Sequence, residues 1–269
     1  MKLGYSSATA GIYKVDEAFK FAESLGLEFV ELIYDYCDYL SDAQPAKRVR
    51  ELKAATGIGV TLHLPFIDLN IASLIKVVRK ASVEQTLEAL EYARAIEASC
   101  GVLHTGHIFL YQPVPLEQAF EALYDSLSQF QAAGVPIALE NLGLLVDGLV
   151  KGPEMLRHIT DKFGMHNCLD VGHALIEANR PWADPLLANE DNISSYIDTL
   201  GERIIHLHLC NNNAQDDLHA PTTDGHIDFR NYSSFLNAFK GSICLEVAGG
   251  KEAVAKSVAH IRALEAVAI

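Results

Sequence analysis

The stretch "IIHLHLCN", residues 204–211, alternates apolar side chains with histidines and runs into the polar loop "NNAQDDLHAPTTDGH", residues 212–226. A period of two is that of a β-strand, so His206 and His208 face the same way. Apolar runs of similar length recur outward from it in both directions: "KLGYSS" (2–7), "FVELIYD" (29–35), "VTLHLP" (60–65), "GVLHTGH" (101–107), "PIALEN" (136–141), "NCLDVGHA" (167–174) and "SICLEV" (242–247). Between these runs lie helical patterns. Leu116, Phe120, Leu123, Leu127 and Phe130 mark one buried face, as do Val83, Leu87, Leu90 and Ala93, and again Val254, Val258, Ile261 and Leu264.

Strict alternation of eight strand-like runs with helices predicts a closed parallel (β/α)8 barrel, an α/β fold with an outer ring of helices. Gly26, Gly57, Gly134 and Gly164 each close a helical pattern shortly before a strand, where a left-handed residue is wanted. A chain of 269 residues suits one such barrel, so residues 1–269 are expected to form a single domain. The competing open doubly wound sheet lacks its usual signature, since no GxGxxG follows the first strand.

Composition narrows the function. With 49% hydrophobic residues the chain can bury a full core, and no apolar run approaches the roughly 20 residues of a membrane span. Met1-Lys2-Leu3 passes directly into strand-like sequence without the apolar segment of a signal peptide, which predicts a cytoplasmic protein. Cys37, Cys100, Cys168, Cys210 and Cys244 are odd in number and form no CxxC pair, in keeping with a reducing compartment; Cys37, Cys168 and Cys244 read as small buried hydrophobes. A net charge of -14 argues against duplex DNA as a partner, because affinity for phosphate backbones comes from Lys and Arg. It leaves room for a small anionic substrate drawn to a locally cationic metal site.

In a barrel of this kind the chemistry collects at the C-terminal ends of the strands. There the predicted strands carry His63, then His104 and His107, Glu140, Asp170 and His173, His206 and His208, and Glu246, while the loop after strand seven adds Asp216, Asp217, His219, Asp224 and His226. Any one of these reads as an ordinary hydrogen-bonded group. Several carboxylates around one barrel mouth are costly to bury without a cation, and imidazole with carboxylate suits Zn2+ or Mn2+. His208 lies nearer the rim and is the expected ligand of strand seven; His206 is expected beneath it as a packing or supporting histidine.

The segments "LHLPFIDLN", "VLHTGH", "ALEN", "CLDVGHA", "HLCNN", "DLH" and "CLEV" occur in an order that resembles the endonuclease IV and xylose isomerase-like TIM barrels, a group with many sugar phosphate isomerases and epimerases. The resemblance spans most of the chain, from strand three to strand eight. The single-metal epimerase branch is similar at Glu140, Asp170, His208 and Glu246, which implies one Mn2+ and two glutamates, Glu140 and Glu246, that move a proton on either face of an enediolate. The arginine of that branch shortly after the strand-seven histidine is replaced here by "NNNAQ". The endonuclease IV branch implies up to three Zn2+ ions on His63, His104, Glu140, Asp170, His173, His208, Asp217, His219 and Glu246, with Glu140 or Glu246 bridging ions and orienting the nucleophile. Phe66 stands where that nuclease usually has a tyrosine. The resemblance therefore implies a multinuclear metal-dependent phosphoesterase acting on a phosphorylated or polyhydroxy small molecule rather than on duplex DNA. The alternative is a sugar or sugar phosphate isomerase or epimerase using one or two Mn2+ or Zn2+ ions; a catalytically silent barrel fits the intact ligand pattern poorly.

Other residues are expected near the substrate. Lys251 follows Gly249-Gly250 at the start of a helix where a phosphate could bind, Arg180 is the cation best placed for an anion, with Trp182 beside it, and His107 is a rim residue or substrate contact. Glu31 reads as a catalytic acid or, preferably, a polar group of the barrel floor, and Asp224-Gly225-His226-Ile227-Asp228 as a turn that shapes the loop. A homo-oligomer is compatible with the sequence.

Overall fold

Eight parallel strands pair in chain order and close through β1 and β8 in a computed structural model that describes residues 1–35, 45–107, 116–142, 148–178 and 192–266. The strands are β1 (Lys2–Ser6), β2 (Phe29–Ile33), β3 (Gly59–His63), β4 (Gly101–His104), β5 (Ile137–Glu140), β6 (His166–Asp170), β7 (Ile204–Leu209) and β8 (Ser242–Leu245). Around them run α1 (Val15–Ser24), α2 (Pro45–Thr56), α3 (Lys76–Ala95), α4 (Leu116–Phe130), α5 (Pro153–Phe163), α6 (Val171–Ala178), α7 (Asn192–Leu200), α8 (Ser233–Ala238) and α9 (Gly250–Ala266). No helix among the described residues is long and apolar enough to cross a membrane.

The expected helical stripes face inward. Leu123, Leu127 and Phe130 of α4 are fully buried, whereas Leu116 at its start is half exposed; Val254, Val258, Ile261 and Leu264 of α9 are all buried. The four predicted stops adopt positive φ, with Gly164 at 66° and its N–H donating to the Thr160 carbonyl. One boundary moves: "NCLDVGHA" is not strand throughout, since β6 ends at Asp170 and α6 begins at Val171. The Asp170 side chain explains this, because its Oδ1 accepts the His173 N–H at 2.6 Å and caps the new helix.

Register decides what meets at the mouth. His104 pairs with Glu140 across β4 and β5, and Asp170 with His208 across β6 and β7. Residues two apart on a strand share a face. The same inward rows therefore carry Thr61 below His63, Val102 below His104, Ala138 below Glu140, Cys168 below Asp170, His206 below His208 and Cys244 below Glu246. The lower row is buried and largely apolar, apart from Thr61, His206 and the neighbouring Glu31.

Candidate metal centre

The upper row and its loops bring nine donors together in three groups. His63, His104 and Glu140 form one; Glu140, Asp170, His208 and Glu246 a second; His173, Asp217 and His219 a third, and within each group the donor atoms lie within 4.8 Å of one another. Glu140 belongs to two groups. Its Oε2 lies 3.4 Å from both His63 Nε2 and His104 Nε2, while Oε1 lies 3.4 Å from His208 Nδ1 and 3.3 Å from His173 Nδ1. In the third group Asp217 Oδ2 lies 3.1 Å from His173 Nε2 and 3.3 Å from His219 Nε2.

Hydrogen bonds outside the groups set which nitrogen of each ring faces in. A backbone carbonyl can only accept, so a ring nitrogen close to one carries the proton. His63 Nδ1 donates to Leu64 O at 2.9 Å, His173 Nδ1 to Asn141 O at 2.9 Å and His219 Nδ1 to Glu246 O at 3.1 Å. In all three, Nε2 with its lone pair is left toward the centre, as metal-ligating histidines require. His208 is reversed: Nε2 points to Glu31, and Nδ1 lies 2.9 Å from Glu246 Oε2.

Each group also holds buried polar atoms without a hydrogen-bond partner: Glu140 Oε2, Asp170 Oδ2 with His208 Nδ1, and Asp217 Oδ1. Such atoms are costly to bury unless something neutralises them. A divalent cation in each group would do so, and five imidazoles with four carboxylates are donors that suit Zn2+ or Mn2+. The residues therefore fit the metal ions that the sequence implies.

The electrostatics point the same way. Burial raises the Glu140 carboxyl, but His208, His104 and His173 outweigh it and hold the group well below the ordinary carboxylate range. Burial is likewise outweighed at Glu246, which His208 and His219 bring down to about 2. His208 and His173 would be pushed down by burial, yet the anionic groups around them raise both well above the usual imidazole value. Asp170 is the exception, raised to about 6 chiefly by burial. Without cations His208 and His173 thus favour the protonated form beside the carboxylates, whereas burial holds His104 below the usual imidazole value, and any protons on ligating nitrogens must leave when metal binds.

Loop chemistry delivers the third group. In "NNN", Asn211 donates from Nδ2 to Thr222 O and Ile227 O and accepts at Oδ1 from Ile227 N, Asn212 donates to Gly172 O and accepts from Ala214 N, and Asn213 accepts from Gln215 N and Asp216 N. These side chains replace a strand as the scaffold for Asp217 and His219. Gly225 is required here, because a Cβ would come within 2.3 Å of Asn211 Oδ1. His219 has φ +46°, a left-handed backbone in a non-glycine residue, and its carbonyl accepts the Ala248 N–H.

The other sequence candidates fall outside the three groups. His107 lies beside His104, bridged to Gly148 and clasped by Asn70; it lines a cavity of about 70 Å3 with Phe66, Leu69, Ile71 and Leu142. The Lys251 ammonium lies 5.7 Å from the Phe21 ring centroid, in a groove between α1 and α9 rather than among the donors. Arg180 and Trp182 lie outside the described residues, as does Cys37. His226 is exposed and contributes its backbone N–H to Asn212 O. Phe66 stands over the first group, its ring centroid 4.9 Å from that of His63 and 4.8 Å from that of His104.

Sequence reading missed the supports Asn141 and Asp35, and placed Glu31 on the barrel floor without its partners. The Asn141 side chain donates from Nδ2 to the Asp170 carbonyl and accepts the Asp170 N–H at Oδ1, both at 2.8 Å, and fastens β5 to β6. Asp35 accepts the Phe66 and Ile67 N–H groups and sets the turn that carries Phe66. Glu31 meets both His206 and His208. Only Glu31 left a signal, since the alternation of "FVELI" places it on the inward face with Phe29 and Ile33.

Comparison with known proteins agrees with this architecture. A family model described as a xylose isomerase-like TIM barrel matches residues 19–264. The uncharacterized protein MJ1311 of Methanocaldococcus jannaschii is 30% identical over 206 residues, which cover 74% of this chain and 67% of that protein. Among solved structures, a D-tagatose 3-epimerase-like protein has a TM-score of 0.82 at 24% identity, covering 99% of this chain and 98% of its own. Endonuclease IV from Thermus thermophilus has 0.72 at 21% identity, covering 98% of each. At these identities the two structures establish the shared fold.

Proposed function

We propose, for a chain that belongs to the xylose isomerase-like TIM barrel family, that it is a multinuclear metal-dependent hydrolase cleaving a phosphoester of a small molecule. One observation carries the reading: nine donors divide into three groups, two of them joined through Glu140. A one-metal enzyme would need only Glu140, Asp170, His208 and Glu246. The remaining five, His63, His104, His173, Asp217 and His219, are held with nitrogens or carboxylate oxygens directed inward, an arrangement that costs stability unless further cations sit there.

When bound, such ions supply Lewis acidity toward a phosphoryl oxygen and lower the pKa of a water at neutral pH. The rest is the work of the chain. Glu140 ties the first two groups to a fixed separation, and Glu246 presents one oxygen to His208 while Thr9 Oγ1 approaches the other at 3.4 Å. Phe66 shields the His63 and His104 rings from bulk water. A net charge of -14 turns the specificity away from duplex DNA and toward a compact phosphorylated substrate.

A second reading rests on the completeness of the central group by itself: an isomerase or epimerase of a sugar or sugar phosphate, with Glu140 and Glu246 as proton carriers on opposite faces of the substrate. Metal content and a substrate panel separate the two. Three ions per chain, with hydrolysis of small phosphomonoesters or phosphodiesters that disappears in His104→Ala, are expected. One ion per chain with conversion of ketoses, unaffected by His104→Ala, would replace the hydrolase reading with the isomerase.

A further inference from the structure

Beneath the metal centre lies a second buried cluster of polar side chains, Glu31, Thr61, His206 and Ser242, with the Cys244 thiol beside it. Glu31 Oε2 accepts from Thr61 Oγ1 at 2.9 Å and lies 3.0 Å from His206 Nε2, and His206 Nδ1 meets Ser242 Oγ at 2.6 Å. One oxygen of Glu31 is thereby occupied twice. The other, Oε1, lies 3.0 Å from His208 Nε2.

We infer that Glu31 is a positioning residue for the central metal: it holds His208 by Nε2, so that Nδ1 is the nitrogen presented to Glu140, Asp170 and Glu246. The inference rests on the reading of His208 as a metal ligand. His63, His173 and His219 are oriented by neutral backbone carbonyls, whereas His208 has a carboxylate in that role. A carboxylate behind an imidazole fixes the ring and makes its far nitrogen a stronger donor than a carbonyl would. The approach of His208 Nε2 to Oε1 is close without meeting hydrogen-bond alignment, and the same oxygen accepts the Cys244 thiol at 3.7 Å.

Glu31, His206, His208 and Cys244 also lie close enough together to be considered a fourth metal group. Their bonding argues otherwise. Both nitrogens of His206 and Oε2 of Glu31 already have partners, while the central group contains the unpartnered atoms. The lower cluster is a brace, and its close contact with the donor groups runs through His208.

The test is a zinc titration of the full chain against a chromophoric chelator, with metal counted by atomic absorption and located by anomalous diffraction. Glu31→Gln keeps the shape and removes the charge; Glu31→Asp keeps the charge and withdraws it from His208. Both are expected to weaken the ion at Glu140, Asp170, His208 and Glu246 by about 10- to 100-fold. Ions at the other groups should keep their wild-type affinities, and far-ultraviolet circular dichroism checks that the chelator-treated variants are folded. An unchanged affinity at the central group in Glu31→Gln overturns the inference. If neither variant folds, Thr61→Val removes one of the bonds that aim Glu31 and must weaken the same ion several-fold; wild-type affinity there overturns the proposal equally. Wild-type protein that binds a single ion at the central group would end the trinuclear reading alone, and the variant ratio would still decide the role of Glu31.

Discussion

Glu140 and His208 meet through Oε1 and Nδ1 at 3.4 Å, which leaves Oε2 of the same carboxylate facing His63 and His104. One side chain on a four-residue strand is therefore shared by two donor groups, and most of what can be predicted for this protein follows from that sharing.

Glu140→Gln removes the one charge common to both groups. On the trinuclear reading proposed above, zinc content measured by atomic absorption after dialysis is expected to fall from three ions to one, held by His173, Asp217 and His219. On the same reading the hydrolytic rate should fall by more than the roughly 10- to 100-fold that losing a residue behind a ligand costs. Retention of three ions would contradict the assignment of Glu140 as the shared donor.

Asp217→Asn acts on the third group alone. Its carboxylate is held below the ordinary range by His173 and His219, against the effect of burial, so the neutral amide removes the one negative charge that group has of its own. Loss of one ion is expected, with the other two in place and a rate lowered by about 10- to 100-fold. If the two-ion form is as active as wild type, the third group takes no part in the reaction.

The pH dependence of metal binding has a definite sign. In the metal-free chain, His208 and His173 are raised and Asp170 is raised to about 6, so all three favour the protonated fold and lose that advantage as pH rises through their folded values. Glu246, depressed to about 2, works in the opposite sense, and its contribution is lost only in strong acid. Zinc requires the deprotonated forms. The difference in melting temperature with and without zinc should therefore widen from about pH 5 to about pH 8, with protons released on binding. A gap that narrows over that range would contradict this account of the cluster.

Asn211→Ala tests the loop. The side chain is 1% exposed and serves Thr222 O, Ile227 O, Ile227 N and Asn212 N. Its removal should cost about 2–4 kcal/mol, since several buried backbone groups lose their partners at once. Thermal unfolding would read this as a drop of several degrees, together with weaker binding at the His173–Asp217–His219 group. An unchanged melting temperature would mean that the loop stands without Asn211.

The barrel was legible in the sequence because strand alternation and helical stripes are properties of short windows, and the donors because all but His173, in the first turn of α6, sit at or next to a strand end or in the "DLH" turn. What escaped was of another kind. The end of β6 depends on Asp170 turning back to cap α6, a local competition that periodicity does not weigh. The roles of Asn211, Asn212 and Asn213 depend on loop partners such as Thr222, Ile227 and Gly172, and "NNN" alone says only that a loop is present. The pairing of Glu31 with His208 joins β2 to β7 across the barrel axis, and no spacing along the chain records it. Lys251 shows the converse: a glycine pair before a helix suggested a phosphate contact, and the side chain lies along Phe21 on the outer ring.

The asparagine-built loop also separates two kinds of inheritance within one molecule. His63, His104, Glu140, Asp170 and His208 belong to strands or their ends, and Glu246 directly follows one, so their places are set by the register of the barrel. Asp217 and His219 belong to a cassette that carries its own fastenings, attached chiefly through Asn211, Asn212 and the Ala248 contact. Such a segment can be exchanged without disturbing strand closure. Descendants of one barrel could thus gain or lose an ion, and with it a chemistry, through changes confined to roughly a dozen loop residues.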